Sequence, residues 1–341
     1  MRSRQRSITM PNLPRIPRTV RRRDRAPQRS VERVDPQVAE LEAAGLHWLN
    51  IEAPTALETA YLAQRFDYHE LDLEDVLSTR QRPKIDEYDD YLFIVLHVPH
   101  FNKSKGRLDA AEVNLFVSDG YVITLPNVPL KPIGRLFNQL ETNIERREEY
   151  FGKGAGYLLY EILSDLFDYC FPILDKIGFK LDRLNDAIFT ERRSEDVVRD
   201  ISDVKQEIVA YRKVIKPERS TLRLLERSRT RYLPEDLEVY FDDIVDKAER
   251  IWDQLDNYKE VVEALEQTNE SVIAHKQNDI LRVLTIFSVV LLPLTLLSGI
   301  YGMNFTHIPF SHDVHGFYDV VLVMLVIVVG MLAYFRRKSW L

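Results

Sequence analysis

The sequence predicts an α/β cytoplasmic domain with long stalk helices, followed by two C-terminal transmembrane helices. Apolar residues are concentrated in the last fifth of the chain, where the 24 residues 283–306 and the 16 residues 320–335 contain no Lys, Arg, Asp, Glu or His. Such runs are long enough to cross a bilayer. β-type runs lie between residues 36 and 150, and the 58 residues between Pro234 and Pro293 contain neither proline nor glycine, which indicates one long helix.

Charge divides the chain into a basic start and an acidic middle. Residues 1–35 hold eleven Arg, three acidic residues and four prolines, and we interpret them as a disordered Arg/Pro-rich N-terminal arm. Residues 36–280 carry 48 acidic and 31 basic side chains, which argues against nucleic acid as a partner and favours cations. The single cysteine, Cys170, cannot form an intrachain disulfide and suits the reducing cytoplasm.

Residues 36–233 are predicted to form the cytoplasmic α/β domain with its helical layer. β-type runs occur at 47–51 and 91–98, and a helical stretch occurs near 71–77. Two further β-rich runs, 112–118 and 121–125, flank Asp119-Gly120, a pair typical of a type I′ hairpin turn. Residues 157–216 read as long helices that are broken or kinked at Pro172 and end before Pro217, because proline lacks the backbone N–H.

The stalk helix is predicted over residues 234–280. Apolar residues alternate three and four apart along it, as in a helix packed along other helices. This seam consists of Leu237, Phe241, Ile244, Ala248, Ile251, Leu255, Tyr258, Val262 and Leu265. If the helix continues through Pro293 to Gly302, it is about 100 Å long at 1.5 Å per residue.

The membrane part is predicted as a first transmembrane helix at 281–305, an extracytoplasmic loop at 306–317, a second helix at 318–335 and a basic tail at 336–341. Arg336, Arg337 and Lys338 follow the second span, whereas the loop contains no Lys or Arg. Because basic residues mark the cytoplasmic side, both termini are expected inside, in a plasma (inner) membrane whose lipid is an expected partner of the chain.

Two helices cannot enclose a water-filled path, so any pore requires an oligomer of this chain. One stripe of the first span is mostly small or polar and could line such a pore. The stripe consists of Asn278, Leu281, Thr285, Ser288, Leu292, Thr295, Gly299 and Gly302. Small and hydroxylated residues also allow close helix packing, which is the alternative role. The apolar runs 283–306 and 320–335 contain no Asp, Glu, Lys or Arg, which argues against a proton-coupled carrier and leaves recognition by neutral oxygens.

Residues 301–305, Tyr-Gly-Met-Asn-Phe, resemble the CorA family of magnesium channels, whose signature is a Gly-Met-Asn triplet at the end of the first of two C-terminal spans. The resemblance extends from about residue 65 onward. It includes Arg82-Pro83-Lys84 leading to the run 91–96, Gly156–Tyr160, Tyr211-Arg212-Lys213, and Tyr334–Leu341.

The resemblance implies a homopentameric, funnel-shaped channel for potential-driven Mg²⁺ uptake. Gly302, Met303 and Asn304 would form the ion entry and selectivity site, with the Asn304 amide oxygens in a ring. Mg²⁺ would also act as a regulator, bound between subunits by Asp89 or Asp90 together with Asp243 to favour the closed pore. Co²⁺ is a second ion to consider. Near the cytoplasmic end of the span, Leu281 and Leu284 are candidates for a hydrophobic constriction, with lipid contact as the alternative.

The loop departs from the family pattern, because Phe310 stands where members often carry Glu after a proline. Asp313 or Asp319 could supply that charge. The loop histidines, His307, His312 and His315, could bind Co²⁺, Ni²⁺ or Zn²⁺, so a transition-metal transporter of the same architecture remains open. A membrane-anchored oligomeric sensor or scaffold is an alternative of a different class. No enzyme is expected, because the chain has no phosphate-binding loop, dinucleotide fingerprint or nucleophile elbow.

Overall fold

The computed structural model describes residues 35–78, 81–102, 104, 106–190, 194–228, 233, 235–303, 315–338 and 340. Residues Met1–Pro36 and Gln37–Leu341 are two separate units, and only positions 35 and 36 of the first are described. The predicted arm at 1–35 therefore lies almost entirely outside the described residues.

The described strands form one sheet in the order β1-β2-β6-β5-β4-β3. Their bounds are β1 Ala39–Ala43, β2 Leu46–Asn50, β3 Lys84–Glu87, β4 Leu92–Asn102, β5 Arg107–Val117 and β6 Tyr121–Pro126. Neighbouring strands are antiparallel except for β2 and β6, which are parallel.

Both faces of the sheet are covered, which explains the uninterrupted apolar run of β4. Phe93 and Val95 belong to a core shared with the first two helices of the chain, whereas Leu92, Ile94 and Leu96 belong to a larger core shared with the later helices. A strand that is buried on both sides needs apolar residues at every position rather than at alternate ones.

The predicted hairpin of β5 and β6 is confirmed, but its predicted turn type is wrong. A type I′ turn requires positive φ at both central residues, and neither Asp119 nor Gly120 has one. The neighbouring strand provides the reason, because the His47 N–H donates to the Gly120 carbonyl at 2.9 Å and holds that peptide in the ladder of β2.

The described helices follow the strands or connect them. Their bounds are α1 Ala56–Arg65, α2 Glu70–Leu77, α3 Lys131–Thr142, α4 Ile144–Gly152, α5 Ala155–Asp168, α6 Phe171–Ile188, α7 Ser194–Arg227, α8 Glu238–Tyr301 and α9 Gly316–Arg337. The predicted break at Pro172 is confirmed, since α5 ends before it and Pro172 occupies the first turn of α6.

The prediction that the helix ends before Pro217 is wrong, because α7 continues through Pro217 to Arg227. A proline inside a helix costs about 3 kcal/mol. Packing outweighs this cost: α7 lies along α8, and buried residues continue on its inner side beyond the proline at Leu222 and Leu225. The hydroxyl groups of Ser220 and Thr221 donate to the Pro217 carbonyl.

Helix α8 confirms the predicted seam. Every seam residue is buried except Tyr258, which is partly buried against the same core. The helix begins at Glu238, after a 3₁₀ turn at Glu235–Leu237, and Pro234 lies outside the described residues. It runs through Pro293 and ends at Tyr301, so it has 64 residues and is shorter than the predicted continuation to Gly302.

Within the described part, α8 and α9 are the two helices long and apolar enough to span a membrane. Helix α9 extends the predicted second span by two residues at each end, from 316 to 337. Aromatic and basic side chains, among them Phe317, Tyr318, Arg336 and Arg337, lie at its ends, as is typical of residues at a membrane interface.

Candidate functional site

The stripe predicted from the sequence lies on the open side of α8. All eight of its residues, from Asn278 to Gly302, are exposed in the single chain. The less exposed residues of this segment, such as Ile286, Pro293 and Leu297, lie on another side, and α8 contacts α9. At about 100° per residue, the centres of the two sets lie roughly 170° apart around the helix. The stripe therefore faces away from the partly buried side of α8.

The hydroxyl groups on this stripe are already used as donors within the helix. Thr285 Oγ1 donates to the Leu281 carbonyl at 2.8 Å, Ser288 Oγ to Leu284 at 2.9 Å, and Thr295 Oγ1 to Leu291 at 2.9 Å. Each hydroxyl proton is thus directed along the helix. The lone pairs of the hydroxyl oxygens stay available, so these groups can accept hydrogen bonds from groups outside the helix.

The outer end of the stripe is only partly described. Gly302 caps α8 by donating its N–H to the Ser298 carbonyl at 3.0 Å, and the side chain of Met303 is half-exposed. Asn304, the third residue of the signature, lies outside the described residues, as do Phe310, Asp313 and two of the three loop histidines. His315 and Asp319 are described, at the start of α9.

The two predicted constriction residues, Leu281 and Leu284, are both exposed, by 58% and 60%. Leu281 belongs to the stripe, and Leu284 lies about 60° from its centre. In the single chain, both residues are more than half exposed.

The predicted regulatory carboxylates lie in two places. Asp89 and Asp90 form the tip of the turn between β3 and β4, whereas Asp243 projects from α8. Lys247, one turn further along α8, lies 3.5 Å from Asp243 and 2.9 Å from Asp168. Among the residues that the structure describes, no group of three or more His, Cys, Asp or Glu side chains is arranged to hold a metal.

A buried polar cluster, not predicted from the sequence, lies between the β4–β5 hairpin and α7. His97 lies between two carboxylates, with Nε2 3.5 Å from Glu112 Oε2 and Nδ1 3.6 Å from Glu218 Oε1. The backbone N–H of His97 donates to Glu218 Oε1 at 2.7 Å, and Asn114 Nδ2 donates to Glu112 Oε1 at 3.1 Å. Glu218 is fully buried and Glu112 almost so.

Burial and charge shift the pKa values of this cluster. Burial raises the pKa of Glu218 to about 7, against the opposing effect of His97. Burial alone would lower the pKa of His97, but the hydrogen bonds to Glu112 and Glu218 outweigh it and raise the pKa to about 9. A signal for this cluster exists in the sequence: Glu218 interrupts the apolar positions Tyr211, Ile215, Leu222 and Leu225 on the buried side of α7.

Comparison with known proteins agrees with this architecture. The family model described as CorA-like Mg2+ transporter protein matches residues 43–337. The cobalt/magnesium transport protein CorA of Thermotoga maritima is 33% identical over 299 residues, which cover 86% of this chain and 83% of that protein. The zinc transport protein ZntB of Yersinia pseudotuberculosis is 21% identical over 263 residues, or 76% of this chain and 77% of that protein.

A solved structure matches the fold along most of its length. The complete structure of the CorA magnesium transporter from Methanocaldococcus jannaschii has a TM-score of 0.79 and 24% identity, covering 89% of this chain and 94% of that one. The α/β domain, the long helix and the two apolar C-terminal helices are thus those of a known transporter fold. By its sequence and its architecture, this chain belongs to the CorA family of divalent-cation transporters.

Proposed function

We propose that the chain forms a homopentameric channel through which the membrane potential drives Mg²⁺ into the cytoplasm. The observation that carries the proposal is the exposed, largely small and hydroxylated stripe of α8, which ends at the Gly302-Met303-Asn304 signature. Copies of α8 arranged around an axis would turn this stripe inward. Several copies are needed because the described part of one chain supplies two candidate membrane helices, which cannot enclose a water-filled path.

Neutral acceptors suit hydrated Mg²⁺. This ion holds its waters tightly and dehydrates reluctantly, so hydroxyl and amide oxygens that accept hydrogen bonds from its hydration shell can recognise it without removing the shell. The orientation of Thr285, Ser288 and Thr295, whose protons are bonded within the helix, supports this role. The potential supplies about 2.3 kcal/mol per charge per 100 mV, and twice that for a divalent ion.

The proposed topology keeps residues 36–280 and both termini in the cytoplasm, with the loop 306–317 outside. The basic cluster at the C-terminal end of α9, formed by Arg336, Arg337 and Lys338, supports this orientation in the inner membrane. We assign the regulatory role to Asp89 or Asp90 and Asp243 of neighbouring subunits. Mg²⁺ commonly binds proteins through one or two carboxylates and keeps several waters, so such a pair is a sufficient ligand set.

The test is Mg²⁺ entry into liposomes that contain the purified full-length chain. Ser288→Ala and Asn304→Ala are expected to reduce potential-driven entry. Ser298→Ala is the matched control, because Ser298 is exposed on the same helix but lies about 100° from the centre of the stripe. Undiminished entry in both the Ser288→Ala and the Asn304→Ala variant would contradict the proposed pathway. No entry in the unmodified protein would favour a scaffold that only anchors a cytoplasmic assembly.

Transition-metal transport is the second candidate function. It is favoured by the zinc transport protein among the relatives, by the cobalt in the name of the Thermotoga protein, and by the loop histidines near Phe310. Competition between Mg²⁺ and Co²⁺, Ni²⁺ or Zn²⁺ in the same liposomes distinguishes the two. Inhibition of Mg²⁺ entry by micromolar Zn²⁺, together with entry of Zn²⁺ itself, would favour the second candidate.

A further inference from the structure

The turn that carries Asp89 and Asp90 has a defined conformation. It joins β3 to β4, and the N–H of Tyr88 donates to the Tyr91 carbonyl at 2.9 Å across its base. The rings of Tyr88 and Tyr91 stack with their centroids 4.4 Å apart and their planes 16° from parallel. The two acidic residues are therefore flanked on both sides by tyrosines that contact each other.

Both tyrosines are fixed by one buried carboxylate on α2. Tyr91 Oη donates to Asp72 Oδ2 at 2.8 Å, and Tyr88 Oη donates to Asp72 Oδ1 at 3.3 Å. Tyr91 Oη also accepts the backbone N–H of His69, the residue that caps α2, at 2.9 Å. Asp72 is only 1% exposed, and each of its oxygens has a hydroxyl donor. A buried carboxylate without such donors would be strongly destabilising.

Other contacts join α2 to the base of the same hairpin. Lys84, the first residue of β3, lies 2.7 Å from Asp75 of α2 and 2.5 Å from Asp86 of β3. The turn is thus attached to α2 at both ends of the acidic pair and at the start of the hairpin.

We propose that Asp72 is a positioning residue for the regulatory metal site, holding the Asp89–Asp90 turn through the hydroxyl groups of Tyr88 and Tyr91. This inference rests on the proposed function, in which Asp89 or Asp90 binds regulatory Mg²⁺. Mg²⁺ demands near-ideal octahedral geometry, and a carboxylate held in place by the surrounding structure meets that demand at a lower entropic cost than a mobile one. Partners that orient metal ligands typically change affinity by about 10- to 100-fold when they are lost.

The test measures Mg²⁺ binding by the full-length protein in detergent micelles, using calorimetry and the rise of the unfolding temperature with Mg²⁺ concentration. Tyr91→Phe and Asp72→Asn are expected to raise the Mg²⁺ concentration for half-maximal effect by about 10-fold or more. Tyr88→Phe, which loses the longer bond, is expected to have a smaller effect. Tyr211→Phe is the matched control, because it removes another buried hydroxyl, which donates to the Cys170 carbonyl.

The double variant Asp89→Asn, Asp90→Asn separates the failure of this inference from the failure of the proposed site. If the double variant binds Mg²⁺ as the unmodified protein does, the regulatory assignment is wrong, and the role of Asp72 is wrong with it. If the double variant loses binding while Tyr91→Phe and Asp72→Asn keep it, the site stands and the positioning role of Asp72 is overturned. Should Asp72→Asn fail to fold, the two tyrosine variants decide the question.

Discussion

The buried cluster of His97, Glu112 and Glu218 makes the stability of the α/β domain depend on pH. The fold raises the pKa of His97 from 6.5 to about 9 and that of Glu218 from 4.5 to about 7. Both groups therefore hold a proton more tightly in the folded protein than in the unfolded chain. The contribution of Glu218 to the free energy of unfolding is complete below pH 4.5 and is lost as the pH rises through 7. The contribution of His97 is complete below pH 6.5 and is lost as the pH rises through 9.

The size of this effect on the free energy of unfolding follows from the pKa of His97, which rises by about 2.5, from 6.5 to about 9. Each pKa unit corresponds to about 1.36 kcal/mol. Between pH 6.5 and 9 the free energy of unfolding should therefore fall by about 3 kcal/mol. For a domain of 150–250 residues, this corresponds to a decrease of about 6–12 °C in the unfolding temperature. The His97–Glu218 attraction contributes to both shifts, so the shift of Glu218 is not added.

The assay is thermal unfolding of the full-length protein in micelles, followed by the fluorescence of Trp48 and Trp252 at several pH values. In the double variant His97→Gln, Glu218→Gln, the unfolding temperature should fall much less between pH 6.5 and 9, because both titrating groups are absent. Glu266→Gln is the control: it removes an exposed ion pair with Lys205, which contributes little to stability. If the double variant shows the same decrease as the unmodified protein, the pH dependence does not arise from this cluster.

Three further predictions concern packing. Cys170 is fully buried and burial raises its pKa to about 12, so iodoacetamide should label it far more slowly in folded than in unfolded protein, as measured by mass spectrometry; equal rates would contradict its burial. Gly178→Ala places a Cβ 2.6 Å from Tyr258 Oη and should cost about 1–3 kcal/mol in unfolding free energy, and added Tyr258→Phe should recover most of this loss. Leu255→Ala in the seam should cost about 2–5 kcal/mol, compared with about 0.5 kcal/mol or less for the partly exposed Val261→Ala; similar losses would refute the seam.

Features that depend on local periodicity could be predicted from the sequence. The seam from Leu237 to Leu265 repeats every three and four residues, so its burial follows from helix geometry alone. The apolar spans and the hairpin of β5 and β6 are equally local. The stripe on α8 was predicted in the same way, and the structure shows that it is exposed, while its role as a pore lining remains a prediction.

Features that depend on distant residues could not be predicted. Helix α7 passes Pro217 because α8 packs along it, and the turn at Asp119-Gly120 is held by a bond from β2. Glu218 contacts a residue 121 positions earlier in the chain, so neither segment alone reveals the pair. The site residues of the CorA resemblance come from the family motif, and physical reasoning from composition would not have selected Asn304 among the other asparagines.

The continuity of α8 has a mechanical consequence. One unbroken helix of 64 residues extends from the layer of helices beside the sheet to Tyr301. At 1.5 Å per residue it is about 96 Å long, so a tilt of about 3° around one end moves the other end by about 5 Å. A displacement of this size is close to the combined width of two adjacent water molecules. Small rearrangements near Asp243, close to the start of α8, would therefore produce larger displacements at its other end.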